Sequence, residues 1–201
     1  MAGIYFMKVT LAIDTSTART QFAVLNGSQL KWLEIEDGAT THGDVLAKFG
    51  ELAAREEIDQ VIVGMGPGPF TGLRTGIIFA KSFAFGRGLP IHGVCSLDAI
   101  AFGINLPEFI IATDARRKEI YWAQYRGGVR IAGPEVCAPL ELAKFSPLPI
   151  FGEGALKYKL TSDTEHLFPD LTSFPKLAEL SKFDEPLYLR HPDAVPTAER
   201  R

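Results

Sequence analysis

The sequence has few cysteines and no long hydrophobic run. Cys95 and Cys137 are the only two cysteines among 201 residues, and their separation matches no metal-ligand spacing. Two distant cysteines are typical of a reducing compartment, where both serve as small buried hydrophobic side chains. No stretch approaches the roughly 20 apolar residues of a membrane-spanning helix. We therefore expect no disulfide, no catalytic thiol, no membrane association and a cytoplasmic location.

An excess of basic charge is also lacking. The chain has 21 Lys and Arg against 24 Asp and Glu, a formal net charge of -3. Because unaided nucleic-acid binding relies on a basic surface, any nucleic-acid role would need a partner. The 46% hydrophobic content suffices for one sizeable core or two small ones. Met7 stands directly before the first predicted strand. Residues 1–6 are therefore either an N-terminal extension or the result of a translation start assigned to Met1 instead of Met7.

Three apolar, β-branched runs open the chain and predict an antiparallel meander, at residues 8–13, 21–25 and 30–35. Asn26-Gly27 between the second and third runs is a strong hairpin signal. The turn after the first run, residues 14–17, carries a carboxylate and three hydroxyls. Such groups can line a phosphate or Mg²⁺ site. The alternative is a turn that satisfies its own backbone, which the residues alone favour.

Thr41-x-x-Asp44 is similar to a capping box, and apolar residues then recur at helical spacing up to Glu57. This pattern predicts an amphipathic helix. His42 lies in its first turn, and the residue four positions later is Leu46. Because one histidine cannot hold a metal, we interpret His42 as a surface or interface residue.

The stretch from Val61 to Gly76 predicts a buried strand, a shaped loop and the start of a helix. Val61 to Val63 is short and apolar, which is typical of a strand covered on both faces. In the Gly/Pro loop, residues 65–69, glycines allow close backbone approach and prolines fix the backbone. Thr71 is a candidate N-cap, and a helix start attracts anions. The P-loop and dinucleotide patterns are not matched, so the residues alone favour a structural turn.

The helix predicted from Gly72 to about Gly86 has two apolar faces. One face carries Leu73, Ile77, Ala80 and Ala84, and the other carries Ile78, Phe79 and Phe85, with Arg74 and Lys81 at its edges. One face is expected on the sheet. The second is covered either by the preceding helix or by another subunit, and the pattern leaves both open. A further strand at residues 89–94 and a short helix capped by Ser96 follow.

The pattern then restarts, which indicates duplicated lobes. Residues 111–114 and 120–125 repeat residues 11–14 and 21–25, and Asp114 corresponds to Asp14. Residues 148–155 are a degraded echo of the strand, Gly/Pro loop and helix. We predict an N-terminal lobe over 7–104 and a smaller C-terminal lobe over 105–201. The second turn has no hydroxyls, and its basic residues 116–118 are either a solvated turn or an anion contact. Residues 186–190 predict one more strand, and the end from His191 is expected to be frayed.

A resemblance to a known family rests on one long motif. Residues 64–76, Gly-Met-Gly-Pro-Gly-Pro-Phe-Thr-Gly-Leu-Arg-Thr-Gly, closely resemble the signature of the bacterial TsaB (YeaZ-type) family. Residues 13–17, 93–94, 96–97, 113–117 and 186–190 add to the resemblance. The family belongs to the actin, sugar kinase and Hsp70 superfamily. The resemblance implies an α/β fold with two tandem actin-like (RNase H-like) lobes, each a mixed sheet flanked by helices, and a reduced second lobe.

The resemblance also implies a function. It implies a non-catalytic subunit that pairs with and activates a TsaD-like transferase, alongside a TsaE-like ATPase, to move a threonylcarbamoyl group onto an anticodon-loop adenosine of tRNA. This chain would contact tRNA through the complex, form a self-dimer when alone, and bind no cofactor or metal itself, while the complex uses ATP and Mg²⁺. The expected partner interface comprises His42, Val45, Phe49, Arg74, Ile78, Phe79, Lys81 and Phe85. The candidate vestigial nucleotide or phosphate loops comprise Asp14, Thr15, Ser16, Gly66, Gly68, Thr71 and Gly72.

Two other functions are alternatives. An ATP-dependent kinase or ATPase of the same fold would need phosphate loops in both lobes with carboxylates for Mg²⁺, and only the first lobe has such a pattern. A glycoprotease-like peptidase would need a metal motif or an activated nucleophile. No His-Glu-x-x-His is present, no Ser or Cys stands in a nucleophile elbow, and none of the four histidines has a partner at ligand spacing, namely His42, His92, His166 and His191.

Overall fold

A computed structural model describes residues 7–38, 42–143, 147–161, 163–181 and 183–190. The predicted extension at residues 1–6, the capping residue Thr41 and the end from His191 lie outside the described residues. The described chain forms two sheets, one from each half of the sequence, with helices on their faces.

The first sheet has five strands in the order β3-β2-β1-β4-β5. They are β1 Val9–Asp14, β2 Arg19–Asn26, β3 Gln29–Asp37, β4 Gln60–Gly64 and β5 Ile91–Val94. β1 to β3 are antiparallel, and β4 and β5 run parallel to β1, so the sheet is mixed. Asn26 pairs with Gln29, and Gly27 between them has a positive φ of 60°. The predicted hairpin is therefore confirmed.

Helices cover both faces of this sheet because β1, β2 and β4 are apolar on both sides. α1 His42–Ala53 and α2 Phe70–Arg87 pack on the face that presents Leu11 and Ile13. α2 ends where Gly88 adopts the left-handed conformation, with φ 65°, and its N–H bonds back to the helix. A third helix, α3 Ser96–Ala101, follows β5 and contributes to the core of the second sheet.

The second sheet repeats the plan on a smaller scale, in the order β8-β7-β6-β9. Its strands are β6 Glu108–Asp114, β7 Ile120–Arg126, β8 Val129–Cys137 and β9 Ile150–Phe151. β9 runs parallel to β6 and leads into the short helix α5 Glu153–Lys157, as the echo of the Gly/Pro stretch predicts. The only other described helix before α5 in this half is α4 Pro139–Leu142. The edge strand β8 was not predicted, because Gly133-Pro134 interrupts its run.

The tail differs most from the prediction. Residues 186–190 do not form a strand; they run beside the Gly/Pro loop, where the Leu187 N–H donates to the Met65 carbonyl at 2.8 Å. The unpredicted helix α6 Phe174–Leu180 packs on the first sheet, on the face opposite α1 and α2. The predicted boundary after residue 104 falls in the loop between α3 and β6, yet residues 171–180 pack against the first sheet.

The position of α6 leads to a prediction. Phe174 is fully buried, whereas Leu180 on the same helix is 68% exposed. We expect Phe174→Ala to lower the free energy of unfolding by about 3–5 kcal/mol and Leu180→Ala to change it by less than about 0.5 kcal/mol. Urea unfolding followed by circular dichroism measures both. Equal, small effects would mean that α6 does not belong to the core.

Candidate functional site

The carboxyl group of Asp14 is fully enclosed at the end of β1. Its Oδ1 accepts hydrogen bonds from the Ser16 N–H at 2.9 Å and the Ser16 hydroxyl at 2.7 Å. Its Oδ2 accepts one from the Ser96 hydroxyl at 2.7 Å. Burial raises the pKa of Asp14 above its usual value, and these hydrogen bonds only partly oppose that effect. The carboxyl group is therefore bound by the chain itself.

Ser96 has a different role from the predicted one. The N-cap of α3 is Cys95, with no side-chain cap, and the Ser96 hydroxyl points to Asp14. Sequence reasoning missed this contact because 82 residues separate the two side chains. Ser96 was part of the family resemblance, and that was the one signal that it mattered.

The Gly/Pro loop packs directly against the Asp14 turn. The Thr15 hydroxyl donates to the Gly72 carbonyl at 2.9 Å. A Cβ atom at Gly68 would collide with the Ser16 backbone, and one at Gly76 would collide with the Thr15 side chain. The glycines thus permit the two loops to touch. Thr15 and Ser16 therefore lie directly against the loop and the first turns of α2.

Thr71 does not cap α2. The N-cap is Pro69, with φ -58° and no side-chain cap, and α2 begins one residue before Thr71. The exposed Thr71 instead accepts a hydrogen bond at its carbonyl from the Thr75 hydroxyl. Proline at this position fixes the entry into the helix, which explains why the helix starts earlier than predicted.

Asp114, the counterpart of Asp14 in the second lobe, is bound by cations. Lys157 Nζ lies 2.6 Å from its Oδ2, the Tyr158 hydroxyl donates to its Oδ1 at 3.1 Å, and Arg116 Nε lies 3.9 Å away. The carboxylates of both lobes are therefore engaged within the chain. The two lobes also touch, because the Tyr121 hydroxyl donates to the Gly68 carbonyl at 3.3 Å.

His42 connects three elements. Its Nδ1 lies 2.7 Å from the Thr20 hydroxyl on β2, and its ring lies against Gly72 of α2. Burial, and then the nearby positive charge of Arg116, lower the pKa of His42, so the ring is neutral at pH 7. His42 is half-buried, so it reaches the surface only at the edge of this contact.

The outer face of α2 carries a row of side chains, which we name the α2 stripe: Phe70, Arg74, Ile78, Lys81 and Phe85. Their spacing of four, four, three and four residues places them on one side of the helix. Phe85 is 91% exposed and Ile78 is 49% exposed. Two shallow grooves flank the stripe, of about 390 Å³ beside Phe70 and Ile78 and about 510 Å³ beside Phe85.

The other predicted interface residues lie deeper. Phe49 is buried in the core with its ring 5.9 Å from that of Phe22, so it cannot line a surface of this chain. Phe79 packs at 5.5 Å against the same ring and lies over Gly50, which places it between α1 and α2. Val45 packs partly buried beside them. The preceding helix therefore covers Phe79 but leaves Ile78 and Phe85 exposed.

The two thiols are poor nucleophiles. Burial raises the pKa of Cys95 to about 12 and that of Cys137 to about 11, so neither is a thiolate at neutral pH. Among the described residues, no three His, Cys, Asp or Glu side chains stand together as a metal site would require. No helix in the described part of the chain combines the length and apolarity needed to cross a membrane.

Comparisons with known proteins agree with the motif. The family model of the tRNA N6-adenosine threonylcarbamoyltransferase TsaD matches residues 46–178, more than half of the chain. This match, the motif at residues 64–76 and the TsaB relatives described next show that the chain belongs to the TsaB (YeaZ-type) family. It is 35% identical over 134 residues to the tRNA threonylcarbamoyladenosine biosynthesis protein TsaB of Escherichia coli, covering 58% of this chain and 54% of that protein. The TsaB protein of Bacillus subtilis is 34% identical over 133 residues, covering 59% of this chain and 56% of that protein.

The chain thus aligns with about half the length of these TsaB proteins. An uncharacterized protein of Mycobacterium tuberculosis is 37% identical over 205 residues and is covered over 96% of both chains. Among solved structures, YeaZ from Pseudomonas aeruginosa has a TM-score of 0.70 at 22% identity, over 90% of this chain and 100% of that one. The predicted actin-like (RNase H-like) fold, with two mixed sheets flanked by helices, is confirmed.

The contact between the two loops of the first lobe can be tested with a pair of glycines. We expect Gly68→Ala to destabilise the protein by about 1–3 kcal/mol, because the new methyl group collides with the Ser16 backbone. Gly86→Ala, at a helical site where the added methyl group would meet nothing within 4 Å beyond its chain neighbours and its own helix backbone, should instead stabilise it by up to about 1 kcal/mol. Thermal unfolding distinguishes them, and a neutral Gly68→Ala would contradict the close contact.

The buried carboxyl group gives a pH prediction. Because the pKa of Asp14 is raised in the folded state, the stabilisation from its proton is complete below the unfolded-state value and is lost as the pH rises through the folded-state pKa. Asp14→Asn has no such titration. We expect the melting temperature of this variant, relative to the unchanged chain, to rise as the pH increases above the usual aspartate pKa of 3.8. A relative fall would mean that the carboxylate is stabilised in the fold.

Proposed function

We propose that this chain is a non-catalytic subunit that pairs with and activates a TsaD-like transferase in the synthesis of threonylcarbamoyladenosine in tRNA. The family membership, and the names of the Escherichia coli and Bacillus subtilis relatives, support the pathway. The pairing with the transferase is inferred from the α2 stripe.

The α2 stripe has the composition of a protein interface. Phe70, Ile78 and Phe85 supply exposed apolar surface, and Arg74 and Lys81 stand among them. Aromatic and arginine side chains are enriched at interface centres, where a few of them contribute most of the binding energy. The grooves on either side of the stripe offer places for a partner's side chains. When the transferase is absent, a second copy of this chain would cover the same surface.

A supporting role fits the state of the two carboxylates better than catalysis does. A kinase or ATPase of this fold needs free carboxylates in both lobes to hold Mg²⁺ beside a nucleotide. Here Asp14 is enclosed by Ser16 and Ser96, and Asp114 is bound by Lys157. We therefore propose that the nucleotide-binding loops are vestigial, and that the ATP and Mg²⁺ of the reaction are used by the assembled complex with a TsaE-like ATPase.

The pairing can be tested on the α2 stripe. We expect Phe85→Glu and Ile78→Asp each to abolish pairing with the TsaD-like protein of the same organism, because each buries a carboxylate in the apolar contact. Light scattering after gel filtration measures the mass of the mixture, and circular dichroism checks that the variants fold. The matched control is Leu140→Glu, since Leu140 is 82% exposed on α4, and it should leave pairing unchanged.

Three outcomes decide the proposal. A one-to-one complex that both stripe variants fail to form supports the proposed pairing surface. A complex that survives both substitutions would mean that the partner binds elsewhere. An unchanged chain that ignores the transferase, yet hydrolyses ATP alone, would replace this proposal with the kinase-like function.

A further inference from the structure

The turn between β6 and β7 holds three basic residues in an unfavourable backbone conformation. Arg116, Arg117 and Lys118 have φ angles of 63°, 53° and 61°, a left-handed region that residues with a side chain seldom adopt. All three are exposed. We name residues 116–118 the basic turn. Strained backbone of this kind is concentrated at functional sites, where it persists because the surrounding structure holds it in place.

Other hairpins of the same protein avoid this strain. The β2–β3 turn places Gly27 at positive φ, and the β7–β8 turn uses Gly127 and Gly128. Glycine tolerates this conformation without a steric cost. The basic turn is closed by hydrogen bonds between Ala115 and Glu119 and between Glu119 and Arg116, so glycines would fit it as well. The long basic side chains therefore occupy positions at which they cost stability relative to glycine.

Two carboxylates beside this turn are engaged mainly by other cations. Asp114 is held closely by Lys157 at 2.6 Å and only distantly by Arg116, at 3.9 Å. Glu119, the residue that follows the turn, forms an ion pair with Arg190. The Arg116 side chain remains 58% exposed. On a chain of net charge -3, the basic turn places three positively charged side chains next to one another at the surface.

The basic turn lies at the end of the molecule where α1 and α2 begin. The charge of Arg116 acts on His42, in the first turn of α1. Tyr121, three residues after the basic turn, donates to the carbonyl of Gly68, two residues before α2 begins. A partner on the α2 stripe would therefore lie close to this turn at the Phe70 end of the stripe.

We propose that the basic turn binds backbone phosphates of the tRNA held by the assembled complex. This inference rests on the proposed function. Three cations are too few to bind RNA tightly by themselves. They suit a subunit that adds to an RNA-binding surface provided mainly by its partner. The phosphates of free ATP have the same chemistry, and the experiment separates the two sources.

The test replaces the whole turn, with Arg116→Gly, Arg117→Gly and Lys118→Gly in one variant. Binding of an unmodified tRNA transcript to the complex with the TsaD-like protein is measured across a salt series. We expect weaker binding, and a slope of log affinity against log salt that is shallower by about two to three, roughly one unit for each phosphate that the turn no longer binds. The melting temperature of the variant chain should rise, because glycine relieves the strained backbone. Weaker tRNA binding together with higher stability cannot come from a damaged fold.

The matched control removes the same charge elsewhere, with Arg55→Ala, Arg126→Ala and Lys176→Ala, all at exposed positions. It should keep the salt slope. Equal reductions of the salt slope in both variants, or unchanged tRNA binding by the glycine variant, would overturn this proposal. Neither result would contradict the proposed pairing with the transferase. A glycine variant that keeps tRNA affinity but no longer binds ATP would assign the turn to a nucleotide and overturn it too. Failure of the unchanged chain to assemble would refute the proposed function itself, and this inference with it.

Discussion

The first lobe depends on a buried carboxyl group that the chain encloses completely. Asp14 ends β1, and its oxygens join the next turn, through Ser16, to the start of α3, through Ser96. Gly64 at the end of β4 lies against the same group, so no side chain fits there. Burying an acid costs free energy, and the hydroxyl and amide donors reduce that cost. Three distant parts of the sequence are thus fixed around one side chain.

The two lobes share an aspartate turn that is buried in one lobe and exposed in the other. In both, an aspartate at the end of a central strand accepts a hydrogen bond from the backbone two residues later, Ser16 to Asp14 and Arg116 to Asp114. In the first lobe this turn is buried beneath the Gly/Pro loop. In the second it stays at the surface with basic side chains. The first turn is therefore enclosed within the protein, whereas the second is exposed to solvent.

Local patterns in the sequence predicted most of the fold. The β-branched runs, the Asn26-Gly27 turn and the repeat at Asp114 were sufficient for the first sheet and for β6 and β7 of the second, because each signal lies within a few residues. β8 and α6 were missed because proline and glycine break their periodicity, and their packing comes from distant strands. The long motif indicated which loops form the site, but not that they pack against each other. That packing comes from contacts between residues 57 and 82 positions apart, Thr15 with Gly72 and Asp14 with Ser96. No local pattern encodes such contacts.

The tail has a mechanical consequence. After the second sheet is complete, the chain returns and bonds to the first lobe at Ala99 and Gly93 and to the Gly/Pro loop at Met65. Phe183, on this return path, packs against the cores of both sheets. A hinge movement that separated the two lobes would have to break these contacts. The returning tail therefore ties the two lobes to each other, and the hinge opening by which two-lobed enzymes admit their ligands would have to overcome this restraint.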